Sequence, residues 1–399
     1  MTHILQNNKV VYLVGQETVS TRPLAPYGAL LCDFLNDLSS ELRSYKEGAT
    51  YPDIMAFVFW CRKANIARLK AAFEDGKSRL GLGLVFHITP SNVPINFAFS
   101  FAFGLLSGNA NIVRVPSKPF GQIDIICACL SQLLNYDKYS QIKAMTAFVK
   151  YEQNDEITGK FCAGCNARII WGGDAAISNI RKLPMPPRSV EIVFSDRYSF
   201  CVIDAPAVIK LDEAGLSRLA ENFYNDTYLM DQNACSSPHL IIWLGEKKEM
   251  AKEKFLAAVY RIVSKRYQLI DVNAVDKYTL LCHNAIELDN ISGFKKHSNC
   301  VYRIAIDKLV DNMDTLRGRC GCFYEYDTND INGIAGIINS RYQTMTYFGA
   351  DKSQLLDFVV KNRLLGIDRI VPVGKALDID VIWDGYDIVR SLSRIIDVK

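Results

Sequence analysis

The sequence predicts an α/β protein built on parallel sheets with helices on both faces, divided into two or three domains. Three observations carry this. The chain has 399 residues, against a usual domain size of about 100–200. Hydrophobic residues make up 49% and charged residues 22%, a balance that fills a large core and argues against disorder. Apolar runs of strand length also alternate with stretches of helical spacing, the order that a parallel sheet with crossover helices requires.

Pro52 to Phe73 places Ile54, Phe57, Val58, Cys61, Ala64 and Ile66 at helical spacing. Leu82–Ile88 is a short apolar run and reads as a buried strand. Val93–Leu106 follows as a helix, with Pro94 allowed in its first turn. The same alternation gives strand Asn111–Val115, helix Gly121–Leu134, strand Ala167–Trp171 and helix Ala175–Leu183. A strand and Pro206 lie within Ser199–Val208. Helix Asp212–Tyr224, polar loop Asp231–Asn233, strand His239–Leu244 and charged helix Glu246–Lys265 then follow. Gly366–Gly385 carries Gly, Pro and Trp in an apolar setting and leads to a final helix. The expected domains are 1–205, 206–375 and a C-terminal segment 376–399 packing back on their interface.

The charge balance is +3, from 46 basic and 43 acidic residues, which gives no electrostatic case for a nucleic-acid binder. Twelve cysteines are spread over a long chain, unlike a short disulfide scaffold. The N-terminal stretch lacks the pattern of a signal peptide. The longest apolar run, Ile95–Leu106, is interrupted by Asn96, Ser100 and Gly104 and falls short of the ~20 residues of a membrane span. The expectation is a soluble, cytoplasmic protein with reduced thiols.

Common motifs are missing: G-x-G-x-x-G, Walker A, G-x-S-x-G and H-E-x-x-H. Cys162-x-x-Cys165 and Cys320-x-Cys322 could form two halves of a zinc site, but buried structural thiols are the favoured reading, with no metal. Two stretches carry more information. In Asp231-Gln-Asn-Ala-Cys-Ser-Ser-Pro238, Cys235 has small neighbours and precedes a buried strand. A thiol there can be reached by substrate, beside backbone N–H groups able to face an oxyanion; the plain alternative is an ordinary loop cysteine. In His87-Ile-Thr-Pro-Ser-Asn-Val-Pro-Ile95, the Asn92 amide lies between two prolines. It can donate to an oxyanion or cap a helix.

Together these stretches resemble the aldehyde dehydrogenase superfamily. Ser91-Asn-Val-Pro94 is similar to its N-F-P element, and Gly108-Asn-Ala-Asn-Ile-Val-Arg-Val-Pro-Ser-Lys118 to its G-N-x-x-x-x-K-P-S-E element. The resemblance is closer to one branch, the LuxC-type acyl-CoA reductases. It is carried by His87–Lys118, Gln232–Pro238, Arg341–Gly349 and Gly366–Asp387. It implies a Rossmann-type cofactor domain plus an α/β catalytic domain. It implies Cys235 as the nucleophile that becomes acylated by a thioester, and Asn92 with the Cys235 N–H as oxyanion donors. It implies cofactor contacts from Thr89, Pro90, Ser91, Arg114, Ser117, Lys118, Gly172 and Gly173.

Two departures from the superfamily sharpen this reading. The general-base Glu of hydrolytic members is missing from Val193–Ser199, and Glu191 is out of register, which favours reduction of a thioester over oxidation to an acid. Lys118 stands where hydrolytic relatives carry an acidic residue on the adenosine ribose. With Arg114 it suits a 2′-phosphate, so the expected cofactor is NADPH, with NADH as the alternative. Asp174 is read as a helix N-cap, His239 as structural more than thiol-tuning, and Arg369 and Asp384 as packing residues without chemistry. The expected activity is reduction of a fatty acyl thioester, from acyl-CoA or acyl-protein, to the aldehyde. The alternatives are a hydrolytic or phosphorylating aldehyde dehydrogenase and a non-catalytic acyl carrier. The resemblance also implies an acyl-protein synthetase partner and a homo-oligomer.

Overall fold

The computed structural model describes residues 10–91 and 93–399. Two compact units form, one from the chain up to Ser195 together with Tyr386–Lys399, the other from Asp196–Gly385. The division therefore falls ten residues before the expected 205, because strand Tyr198–Asp204 pairs with Pro238–Leu244 and Tyr342–Phe348 in the second sheet. The 376–399 segment is divided too. Its first part, with Trp383 and Asp384, stays in the second unit, and its last fourteen residues join the first. There Ser393–Ile395 pairs antiparallel with Arg79–Gly81.

The first unit holds a six-stranded sheet in the order Val11–Val14, Thr146–Lys150, Ala110–Arg114, Leu84–Ile88, Ala167–Trp171, Val190–Phe194. The first strand is antiparallel and the other five are parallel. The parallel part starts in the middle at Leu84–Ile88, winds to one side, then crosses to the other. That is doubly wound topology, with its switch point between Leu84–Ile88 and Ala167–Trp171. All five residues of Leu84–Ile88 are buried, as expected of a strand covered on both faces.

Helix Asn96–Leu106 starts later than expected, because Pro94 and Ile95 form a turn before it. All eleven of its residues are buried. Gly104 allows it close to the sheet: a Cβ there would lie 1.9 Å from Asn111 Oδ1 and 2.9 Å from His87 Nε2. His87 itself is fully buried. Asn111 Nδ2 donates to Asn109 O at 2.8 Å, so its Oδ1 accepts from His87 Nε2 at 3.0 Å. His87 Nδ1 then accepts from Ser100 Oγ at 2.8 Å, and Ser100 accepts from Trp171 Nε1 at 3.0 Å. This neutral network satisfies every member. The expected single helical stretch Pro52–Phe73 is two helices, Pro52–Cys61 and Lys63–Phe73, broken at Arg62 by its extended backbone.

The second unit holds a seven-stranded sheet: Ile291–His297, Val301–Ile306, Cys322–Thr328, Pro238–Leu244, Tyr198–Asp204, Tyr342–Phe348, Arg369–Pro372. Only the Ile291–His297 edge strand is antiparallel. Its two faces pack separate cores. Phe200, Val202, Leu240 and Ile242 face one, and Cys201, Ile203, Ile241 and Trp243 the other. Successive strand residues point to opposite faces, so these runs are apolar throughout. Pro206 sits in the first turn of helix Ala205–Lys210, directly after the strand.

Candidate active site

Cys235 lies in the loop that enters strand Pro238–Leu244 and keeps partial exposure. The loop is held by unusual backbone and by one buried side chain. Asp231 and Gln232 adopt left-handed φ of 52° and 58°, which costs free energy in non-glycine residues and persists only where surroundings enforce it. The Gln232 carboxamide supplies that enforcement. Its Nε2 donates to Pro238 O at 3.1 Å and Cys322 O at 3.2 Å. Its Oε1 accepts from Gly321 N at 2.7 Å and Cys322 N at 3.1 Å. Ser237 Oγ donates to Asp226 O at 2.7 Å and closes the loop's far side.

Parallel strands bring their N-terminal ends to one edge of the sheet, and this places distant residues around Cys235. Ser199 opens the neighbouring strand and donates through Oγ to Cys235 O at 2.7 Å. The same Oγ accepts from Thr344 N, on the next strand, at 3.1 Å. Gln343, the residue before Thr344, donates Nε2 to Asp384 Oδ1 at 2.8 Å. Arg197 Nη1 pairs with the same Asp384 oxygen at 3.0 Å, while its Nη2 pairs with Asp368. Arg369 donates to Ala376 O and Asp378 O, each at 3.0 Å, and its guanidinium lies 4.1 Å from the Trp383 ring centre.

The electrostatics at the sulfur oppose one another. Burial raises the Cys235 thiol above its ordinary value, and the Asp384 carboxylate adds to this. The Gln343 hydrogen bond and the Arg369 and Arg197 charges pull it down. Burial likewise raises Asp384, against Arg197 and Gln343. His239 takes no part. It is buried, its Nδ1 donates to Gly318 O at 2.9 Å, its ring stacks on Tyr198, and burial lowers it to about 3. Its position in the core makes it a neutral structural histidine, the favoured of its two sequence readings.

The expected cofactor residues gather at the C-terminal edge of the first sheet, where doubly wound folds bind ligands. Thr89, Pro90 and Ser91 follow Leu84–Ile88; Arg114, Ser117 and Lys118 end or follow Ala110–Arg114; Gly172 and Gly173 follow Ala167–Trp171. Thr89 Oγ1 donates to Arg114 O at 2.6 Å, tying two strand ends together. The Arg114 guanidinium lies over the Tyr151 ring at 4.3 Å, while Ser117 and Lys118 are exposed. A Cβ on Gly172 would meet only Ala176 Cβ, at 3.6 Å. Among the described residues, no packing demands glycine there. These residues fit a dinucleotide.

Three expectations change. Asn92 lies outside the described residues. Asp174 is not the cap of its helix: Gly173 occupies that position without a side-chain bond, and Asp174 is the first helical residue. Asp384, read as a packing residue without chemistry, acts on the Cys235 thiol electrostatically and raises it. Glu191 is committed elsewhere, to Arg168 and Arg181, which lower it. Sequence reasoning missed Ser199, Gln232, Arg197 and Gln343. The only signal for the last was its place in the Arg341–Gly349 stretch. Cys162 and Cys165 are buried, and Arg168 Nη1 donates to Cys162 Sγ at 3.3 Å.

Comparison with known proteins agrees with this architecture. The chain is 25% identical over 323 residues to the long-chain acyl-protein thioester reductase of Vibrio harveyi, covering 79% of this chain and 63% of that protein. It is 25% identical over 331 residues to the protein of that name from Photorhabdus laumondii, covering 82% and 63%. The chain thus spans less than two thirds of the length of these relatives. A NAD-dependent benzaldehyde dehydrogenase from Corynebacterium glutamicum superposes with a TM-score of 0.61 at 14% identity, over 93% of this chain and 84% of that one. An oxidoreductase from Marinobacter aquaeolei gives 0.64 at 11%, over 94% and 87%. The fold is that of the aldehyde dehydrogenases. Among the described residues no helix is long and apolar enough to cross a membrane. With the family model for acyl-CoA reductase (LuxC) matching residues 68–396, the chain belongs to that family.

Proposed function

We propose that this chain reduces a fatty acyl thioester to the aldehyde through an acyl-cysteine at Cys235, with NADPH as the reductant. The observation that carries the proposal is Cys235: a partly exposed residue in the loop before strand Pro238–Leu244, anchored at its carbonyl by Ser199, in a member of this family.

The Cys235 thiolate attacks the thioester carbonyl. A carbon–sulfur bond forms, and the bond to the departing thiolate, such as CoA, breaks. Negative charge collects on the carbonyl oxygen, where the Cys235 N–H and the Asn92 amide serve as donors. Bound NADPH supplies a hydride to the acyl carbon. The resulting tetrahedral adduct on Cys235 collapses, the carbon–sulfur bond breaks, and aldehyde leaves while the thiolate is restored. Thr89, Pro90, Ser91, Gly172 and Gly173 hold the dinucleotide, and Arg114, Ser117 and Lys118 supply the donors and positive charge that suit a 2′-phosphate. The same reading includes an acyl-protein synthetase that supplies the acyl group, self-association of the chain, and a cytoplasmic location.

A second reading is favoured by one observation. The Asp384 carboxylate raises the Cys235 thiol electrostatically, and a carboxylate beside a thioester activates water and gives an acid. Its Oδ1 is already shared by Arg197 and Gln343, which supports the reductive reading. Purified protein incubated with acyl-CoA and NADPH, followed by cofactor absorbance, product analysis and intact mass, separates the two. Aldehyde formation with an acyl adduct that disappears in Cys235→Ala supports reduction. Acid as the main product overturns it, and so does an acyl adduct without NADPH consumption.

A further inference from the structure

Asp226 is a buried carboxylate that the chemistry above does not use. It is 1% exposed and lies in the last turn of helix Glu213–Thr227. Backbone groups meet its carboxylate: Gly374 N donates to Oδ2 at 2.6 Å and Ala376 N to Oδ1 at 2.9 Å. The turn that supplies these N–H groups sits closely on the helix. Gly374 adopts a φ of 96°, and a Cβ there would lie 2.7 Å from Asn222 Cβ, one helical turn before Asp226. Arg369 grips the same turn from its carbonyl side, donating to Ala376 O and Asp378 O, each at 3.0 Å. N–H groups thus face the anion and carbonyls face the cation, so the bonds at both ends are charge-assisted. These bonds continue into a closed ring that includes the nucleophile loop. Asp226 O accepts at 2.7 Å from the Oγ of Ser237, two residues after Cys235. On the other arm Arg369 Nη1 donates to Thr344 Oγ1 at 3.3 Å. Thr344 N donates to Ser199 Oγ at 3.1 Å, and Ser199 Oγ donates to Cys235 O at 2.7 Å. Cys235 and Ser237 are therefore held from two sides by one circuit, all of it within the second unit.

We propose that Asp226 is a positioning residue for Cys235: its ionised carboxylate clamps the Gly374–Ala376 turn against Arg369 while its carbonyl holds Ser237, and the ring so closed fixes the nucleophile loop for acyl transfer. This deepens the reading of Cys235 as the acylated nucleophile and rests on it. The ring requires the charge. Both oxygens of a carboxylate accept only when the group is ionised. Protonation turns one of them into a hydroxyl, a poorer acceptor with a proton of its own to place against the turn. Burial pushes Asp226 up to about 7, against the two backbone N–H groups and Arg369, with Asp378 adding to the rise. The groups that face it are Arg369 from strand Arg369–Pro372, Asp378 from the turn, and the Cys201 thiol from strand Tyr198–Asp204. Lys375, also in the turn, is paired with Asp378 at the surface. The ring is therefore closed in weak base and opens as pH falls below about 7.

The test follows acylation of Cys235 in the full chain by palmitoyl-CoA, without NADPH, by mass spectrometry from about pH 6 to 8.5. Thiolate formation alone raises the rate about tenfold per pH unit. In the wild type an extra step of about tenfold is superimposed near pH 7, the low end for a hydrogen bond to a charged group. Asp226→Asn keeps the shape but sets an NH2 against one of the turn's N–H groups. Its rate in weak base falls about tenfold and the extra step disappears, because nothing titrates there. A structural role alone lowers the rate and leaves the step, and that result overturns the proposal, as does an unchanged rate. Ser237→Ala cuts the ring on the nucleophile side and leaves the carboxylate in place. It slows acylation about threefold or more, while hydrogen exchange in the turn around residues 373–378 stays slow. If Asp226→Asn fails to fold, Ser237→Ala decides: an unchanged rate overturns the proposal, and a fall with the turn still protected supports it. If wild-type Cys235 takes no acyl group, the acyl-cysteine reading fails, and hydrogen exchange then judges the ring by itself. Faster exchange in both the turn and the Cys235 loop of Asp226→Asn supports the ring, and faster exchange in the turn alone overturns it.

Discussion

Substituting Ser199 by alanine tests whether the nucleophile loop is anchored to the sheet. Ser199 is fully buried and its hydroxyl joins two strands: it donates to Cys235 O at 2.7 Å and accepts from Thr344 N at 3.1 Å. Alanine deletes the first bond, a loss of about 0.5–1.5 kcal/mol, and strands the Thr344 N–H in the interior, a further cost of about 1–3 kcal/mol. The expected destabilisation is about 2–4 kcal/mol, concentrated where strands Tyr198–Asp204 and Tyr342–Phe348 begin. Hydrogen exchange followed by mass spectrometry on those two strands measures it, with the first unit's strands as an internal reference. The same sample gives the rate at which Cys235 is acylated, which falls because the carbonyl no longer fixes the direction of the side chain. A loss below about 0.5 kcal/mol, in the range of ordinary surface substitutions, combined with an unchanged acylation rate, would refute the anchoring argument.

Acid should weaken both units through their buried histidines. Burial lowers His87 to about 4 and His239 to about 3, whereas an unfolded histidine titrates near 6.5. The stability they hold as neutral groups is complete above about pH 6.5 and is lost as pH falls toward the folded values, about 2 kcal/mol for each by pH 5. Urea midpoints at pH 7.5 and 5 measure this, and equal stability at the two pH values contradicts it. Gly104→Ala places a Cβ 1.9 Å from Asn111 Oδ1, so helix Asn96–Leu106 must shift or the His87 network must break. The expected cost is about 1–3 kcal/mol, and an unchanged melting temperature would sink the close-approach argument. Lys118→Glu should weaken NADPH at least about tenfold, in line with loss of a charge-assisted bond. NADH binding should change little, and fluorescence titration that finds both cofactors weakened equally would show that the lysine does not meet the 2′-phosphate.

The fold class was legible in the sequence because its signals are local. Buried parallel strands such as Leu84–Ile88 and Pro238–Leu244 read as apolar runs, and the helices between them read by period. The loop placement of Cys235, among small residues before such a strand, is likewise local. The residues expected to hold a cofactor lie at strand-to-helix junctions, and the sheet gathers them on one edge because parallel strands end together. Boundaries were less legible. The unit division moved to residue 195 because pairing of Tyr198–Asp204 with the second sheet is a long-range event. The cap of helix Asp174–Arg181 moved by one residue, since glycine and aspartate both suit that place.

What only the tertiary structure decided is the polar surroundings of the sulfur. Arg197, Ser199, Gln343 and Asp384 are separated by up to 187 positions in the chain (384 − 197) and share no motif. They meet because strands Tyr198–Asp204 and Tyr342–Phe348 are hydrogen-bonded neighbours and because Asp384 turns back onto Gln343 and Arg197. Local patterning set which segments are buried and which loop carries Cys235. Strand order, which depends on the summed packing of two cores, set which amide, carboxylate and guanidinium that thiol would face.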